Sequence, residues 1–264
     1  MMQGAARIAK CPRAKVAAGA CPSSLDLHLE SQDVKIAAMK RPAMKPLQTL
    51  TLILIVGLAS GGAFARHHHR PQGDSEAASG TFDYYLLSLS WSPSYCLTHP
   101  DDRSQCGGRG YGFVVHGLWP QYAAGGYPQN CATPNTLTEE ARRVGNTVYP
   151  SPKLVDHEWQ RHGTCSGLDA ISYFRTADRA AAVVLFPQAL QAPPAEQFMT
   201  AAQILAAFHA TNPRMPANGL IVACSRGELS EVRVCLDRNL APTQCGRGVR
   251  TTCPSNAVSV PASR

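Results

Sequence analysis

Apolar and polar residues first fall into a regular order at Phe82-Asp83-Tyr84-Tyr85-Leu86-Leu87-Ser88-Leu89-Ser90-Trp91. The stretch is rich in aromatic and aliphatic side chains and partly alternates, which predicts a central β-strand, and Ser92-Pro93-Ser94 ends it. Phe113 to Val115 reads as a short buried strand broken by Gly117 and Pro120, so His116 stands at a strand end just before the chain turns. A helix begins near Pro152, a residue suited to a first helical turn, with Leu154, Glu158 and Arg161/His162 along neighbouring faces. Gly163 stops it. Downstream, Leu168 to Leu185 is Ala-rich, carries Ile171, Phe174, Val183 and Val184, and predicts a second helix. Pro187, Pro193 and Pro194 punctuate the passage to a third, from about Thr200 to His209, and Leu220 to Cys224 and Leu229 to Leu236 predict strands. There is no internal repeat, no P-loop and no linker to a further domain, so one α+β domain is expected after Ala65.

The segment ahead of this pattern changes the picture. Lys40, Arg41 and Lys45 precede an apolar run from Leu47 to Leu58, and Ala63-Phe64-Ala65 is a small-x-small cleavage site. The run is far shorter than the roughly 20 residues a membrane-spanning helix needs. Residues 39–65 therefore read as a signal peptide cut after Ala65, residues 1–38 as an upstream extension outside the fold, 66–80 as a flexible polar tail containing His67, His68 and His69, and 81–264 as the functional domain. Export to the periplasm or the exterior follows, with no stable membrane insertion after cleavage. The formal charge of +7 belongs mostly to the leader: eight Lys/Arg against three acids in residues 1–65 leave the other 199 residues at only +2. Any attraction for a polyanion must then come from local placement of arginines. Ten cysteines, less Cys11 and Cys21, leave eight in the mature chain, an even number that in an exported protein predicts disulfides. Spacing alone leaves the pairing open, and no CxxC pair points to zinc.

The chemistry concentrates in Val155-Asp156-His157-Glu158-Trp159-Gln160-Arg161-His162-Gly163-Thr164-Cys165. It resembles the HExxH zinc signature with one extra residue, but spacing i, i+5 turns the second imidazole by about 140° on a regular helix, which does not set two ligands on one face. Glu158 and His162 share a face, as do His157 and Arg161. A lone His at a strand end ordinarily serves packing, so His116 gains chemical meaning only from this partner segment. Two imidazoles can act as base and acid across a reacting centre, and a guanidinium beside them suits an anionic phosphoryl transition state. With no metal and no protein nucleophile required, that set points to phosphodiester cleavage by the ribose 2′-hydroxyl, hence RNA and not DNA.

Phe113-Val114-Val115-His116-Gly117-Leu118-Trp119-Pro120 and His157 through Cys165 resemble the two active-site segments of the ribonuclease T2 family, and the likeness extends over roughly residues 81–253. The resemblance implies a single α+β domain with a central, mainly antiparallel sheet flanked by helices and stapled by about four disulfides. It implies a monomeric endoribonuclease without cofactor that cleaves single-stranded RNA through a 2′,3′-cyclic phosphate. His162 would take the 2′-hydroxyl proton, His116 would protonate the leaving 5′-oxygen, Glu158 and Arg161 would stabilise the phosphorane, and His157 would hold the phosphate. The family usually has Lys where this chain has Arg161, which replaces a point charge by a planar fork. Trp119 and Tyr127 would sandwich a base, and Gln121 stands where some relatives place a base-binding Asp. The family pairing implies Cys96–Cys106, Cys131–Cys165, Cys224–Cys253 and Cys235–Cys245. The competing expectation is a catalytically silent, RNA-binding or toxin-like homologue of the same fold.

Overall fold

The computed structural model describes residues 78–131 and 136–263; the leader, the upstream extension and the His67 to His69 tail lie outside them. The chain runs β1 (Tyr84–Trp91), α1 (Ser92–Thr98), α2 (Arg103–Cys106), β2 (Phe113–Gln121), α3 (Glu139–Gly145), α4 (Pro152–Arg161), α5 (Ala170–Ala182), β3 (Gln197–Met199), α6 (Ala201–Thr211), β4 (Leu220–Ser225), β5 (Glu228–Leu236) and β6 (Val258–Val260). The strands form one sheet in the order β2-β1-β5-β6-β3, with β4 also paired to β5. Every pairing is antiparallel except β5 with β6. This is a single α+β domain with a mainly antiparallel sheet. No helix among the described residues is long and apolar enough to cross a membrane.

The alternation in β1 divides the molecule. Tyr85, Leu87, Leu89 and Trp91 enter the main core together with Tyr173, Phe174 and Ala177 of α5 and Ile204 and Phe208 of α6. Tyr84 and Leu86 belong instead to a small second cluster with Cys235 and Trp119. Successive side chains on a strand point to opposite faces. Ser88 and Ser90 therefore lie on the second face, and their partners on β5 are Arg233 and Glu231. One face of the sheet is a hydrophobic floor for helices, the other a platform with polar side chains.

Strand β2 corrects the expectation of a short strand ended by Gly117. It continues to Gln121, paired with β1 along its length. Pro120 is tolerated because β2 is the edge of the sheet and its missing N–H withdraws nothing from a second neighbour. His116 is consequently inside the strand. There the register shifts: Ser88 pairs with Gly117 and Leu89 with Val115, leaving His116 as the extra residue of a β-bulge. Val115 and Leu118 both reach the main core although they are three apart, which plain alternation forbids. The bulge thus returns His116 and Trp119 to the same, opposite face.

The helices have readable starts. Ser151 accepts from the Leu154 N–H ahead of Pro152, Asp169 accepts from the Ser172 N–H, and Thr200 and Gln203 form a reciprocal capping box. Such caps contribute about 1 kcal/mol each. Helices α1 and α3 and strands β3 and β6 were not expected from the pattern; each is seven residues or fewer. Four disulfides join Cys96–Cys106, Cys131–Cys165, Cys224–Cys253 and Cys235–Cys245.

Candidate active site

The platform face gathers the titratable groups. Trp119 is the hub: its ring centroid lies 5.2 Å from that of His116 and 5.3 Å from that of His162. Its Nε1 donates to Glu158 Oε2 at 2.8 Å. A Cβ on Gly117 would overlap both atoms of that hydrogen bond, so glycine is what allows β2 and α4 to meet here. Tyr127, exposed, stands with its ring 5.9 Å from His162, on the same imidazole that Trp119 approaches. Gln121 is not presented in the same way. It is buried, and its Nε2 donates to the Pro120 carbonyl.

Helix α4 ends at Arg161, and His162 is its C-cap, with φ −122° and ψ −46°. This backbone departure overturns the spacing argument made from a regular helix. Past the helix end the imidazole is no longer held to the 3.6-residue rotation, and donor atoms of His157, Glu158 and His162 lie within 4.8 Å of one another. The i, i+5 spacing therefore does not exclude a cation there on geometric grounds. His162 still donates its backbone N–H to the Glu158 carbonyl at 3.1 Å. The following Gly163–Cys165 turn packs so tightly that a Cβ on Gly163 would overlap Trp159. The Asn130 N–H donates to the Arg161 carbonyl at 2.9 Å, beside the Cys131–Cys165 bridge. The loop that carries Tyr127 is thereby fastened to the end of α4.

The environments separate the titrations. Burial, reinforced by the positive charge of Arg161, His157 and His116, lowers the His162 pKa to about 3 and keeps its imidazole neutral at pH 7. Burial pulls His116 down too, but the hydrogen bond and charge of Glu231, with Glu158 behind it, outweigh this and raise His116 above 6.5. Glu158 is fully buried, and desolvation lifts its carboxyl to about 7 against the pull of His116, Trp119 and Arg161. Among the described residues its Oε1 and the Nδ1 of His162 have no hydrogen-bond partner. His157 is exposed and lowered by desolvation and by Arg161 and His116. Two imidazoles shifted in opposite directions, with a guanidinium beside the indole, can move a proton in each direction beside an anion.

Glu231 and Arg233 were not singled out in the sequence. Glu231 Oε1 lies 2.5 Å from His116 Nδ1, and Arg233 places its guanidinium carbon 5.4 Å from the centre of the Trp119 ring. Within β5 these two residues read as the polar alternation of a half-solvated strand. Only the pairing of β5 with β1, and of β1 with β2, brings them under the site.

A mainly antiparallel sheet whose polar face gathers His116, Trp119, Glu231 and Arg233, with Glu158 and His162 brought to it by the end of α4, defines the arrangement. The chain belongs to the ribonuclease T2 family, whose profile matches residues 82–245. It is similar to a ribonuclease of Aeromonas hydrophila, 47% identical over 103 residues that make up 39% of this chain and 46% of that protein. It is also similar to ribonuclease DdI of Dictyostelium discoideum, 28% identical over 176 residues, 61% of this chain and 76% of that one. The chain spans about half the length of several curated relatives, between 41% and 47% for three of them. Among solved structures, the RNase-related protein from Calystegia sepium superposes with a TM-score of 0.57 at 26% identity, over 69% of this chain and 98% of that chain.

Proposed function

We propose that this protein is an exported endoribonuclease that cleaves single-stranded RNA by transesterification to a 2′,3′-cyclic phosphate. Family membership supports the substrate class, and the placement of His116 and His162 on either side of Trp119, with pKa values shifted in opposite directions, supports the mechanism. His162, neutral, takes the proton of the ribose 2′-hydroxyl. The 2′-oxygen bonds to phosphorus, the bond from phosphorus to the 5′-oxygen breaks, and His116, protonated, gives its proton to that oxygen. Arg161 and His157 face the phosphate, and Glu158, near half-protonation at pH 7, donates or accepts through its unpartnered Oε1. A pKa of about 3 is low for a base, but an incoming phosphodiester anion raises the proton affinity of His162 when it is needed. Trp119 and Tyr127 hold the base; stacking of this kind contributes about 1–3 kcal/mol per base and tolerates any sequence. Residues 39–65 act as the leader, and four disulfides suit an oxidising compartment.

The test is digestion of a short RNA in EDTA with products weighed by mass spectrometry. Cyclic phosphate termini are expected, and His116→Ala and His162→Ala should each lose about 100-fold to 10,000-fold, the usual contribution of general acid–base catalysis. DNA and 2′-O-methyl RNA should stay intact. Undiminished cleavage by both variants, or digestion of either control, overturns the proposal; loss of all activity in EDTA would assign the cluster of His157, Glu158 and His162 to a metal instead.

A further inference from the structure

We infer that Glu231 is the positioning residue of His116, fixing which of its nitrogens faces the substrate, and that Arg233 couples this pair to Trp119. Glu231 is buried in a strand whose neighbours Leu229, Val232 and Val234 are core residues. A carboxylate there is costly unless it is paired. Its partners account for both oxygens. Oε1 faces His116 Nδ1 at 2.5 Å and accepts from Ser90 Oγ at 3.3 Å, while Oε2 accepts from Arg233 Nε at 2.7 Å. With Nδ1–H given to the carboxylate, Nε2 is the nitrogen left for a reacting group. The side chain of His116 is still 36% exposed, so that nitrogen can be reached. The groups facing the imidazole are Glu231 and Arg233 from β5 and His157, Glu158 and His162 from α4 and its end. Of the two carboxyls, Glu231 alone is hydrogen-bonded to it. Arg233 holds Glu231 with one edge and lies near the Trp119 ring with its carbon, so one guanidinium links the partner of His116 to the indole that Glu158 also holds.

The inference rests on His116 serving as the acid, and the experiment separates the two ideas. Glu231→Gln keeps an acceptor for Nδ1–H and removes the charge; Glu231→Asp keeps the charge and shortens the reach. Each is assayed beside His116→Ala on two substrates: a dinucleoside monophosphate, whose 5′-alkoxide leaves poorly without a proton, and a nucleoside 3′-(4-nitrophenyl phosphate), whose phenolate leaves without one. Glu231→Gln should lose about 10-fold to 1,000-fold in kcat on the dinucleotide, with KM little changed, in the range of effects set by general acids and their orienting carboxylates. On the nitrophenyl ester it should lose less than about 5-fold, and Glu231→Asp should recover part of the dinucleotide rate. Equal losses on both substrates, or none, overturn the role of Glu231 while leaving His116 as acid. If His116→Ala itself loses equally on both, the acid role falls and the inference falls with it.

Discussion

At the scale of single residues, Glu158 shows how burial writes chemistry into an ordinary side chain. The carboxyl has no exposed surface, one oxygen receives the Trp119 N–H, and the other finds no donor among the described residues. Its folded pKa of about 7 lies above the ordinary 4.5, so the native state binds this proton more tightly than the unfolded chain does. The stability it contributes is complete below pH 4.5 and is lost as the pH rises through 7. Glu158→Gln keeps the acceptor for Trp119 and never ionises. It should match the parent near pH 4.5 and exceed it at pH 8, by about 3 kcal/mol at most, read from urea unfolding at the two pH values. A difference that does not depend on pH would show that the carboxyl is not desolvated in the folded state. His162 runs the other way: depressed to about 3, its contribution is complete above 6.5 and is lost as the pH falls toward 3. The residue types at these positions were legible in the sequence. Their charge states were not, because burial and the sign of each neighbour come from tertiary packing.

At the scale of elements, the end of α4 is where the site is assembled. The Arg161 carbonyl, the Asn130 N–H and the Cys131–Cys165 bridge hold the Tyr127 loop and His162 against each other. Asn130 takes a positive φ of 51° to make this turn, a conformation Asn tolerates better than most residues. The bridge closes a loop with a sequence separation of 34, for which chain entropy gives about 3–4 kcal/mol. The double variant Cys131→Ala/Cys165→Ala should melt lower and also raise KM for RNA several-fold, whereas opening Cys96–Cys106, which joins α1 to α2, should lower the melting point with KM unchanged. Equal effects on KM would deny the loop a part in binding. Helix starts were readable to within two residues from Pro152, the Ala-rich run after Leu168 and Thr200, and the structure adds the caps Ser151, Asp169 and Thr200 that fix them. Strand β2 was misread because Gly117 and Pro120 look like breakers until its edge position is known, and β3 and β6 are too short to show a period.

At the scale of the whole molecule, the sheet turns its main core to one side and gathers His116, Trp119, Glu231 and Arg233 over a smaller apolar cluster on the other, where the candidate site lies. Residues 66–264 carry little net charge with which to draw in a polyanion. A polyanion would then be drawn by local cations, and Arg161 and Arg233 stand beside the imidazoles and the indole. If residues 39–65 are removed on export, the mature protein recovered from the medium or periplasm begins at Arg66; amino-terminal sequencing that finds Cys11 or Cys21 would refute the proposed leader. The placement of the two faces depends in turn on a count of residues in β2. Straighten the bulge without removing a residue and plain alternation returns, so that either His116 or Trp119 must point into the core, because two positions three apart on a regular strand lie on opposite faces. A spacing of three between two side chains of one face can be carried only by an irregular strand, so it is the extra residue of β2, and not its alternation, that keeps His116 beside Trp119.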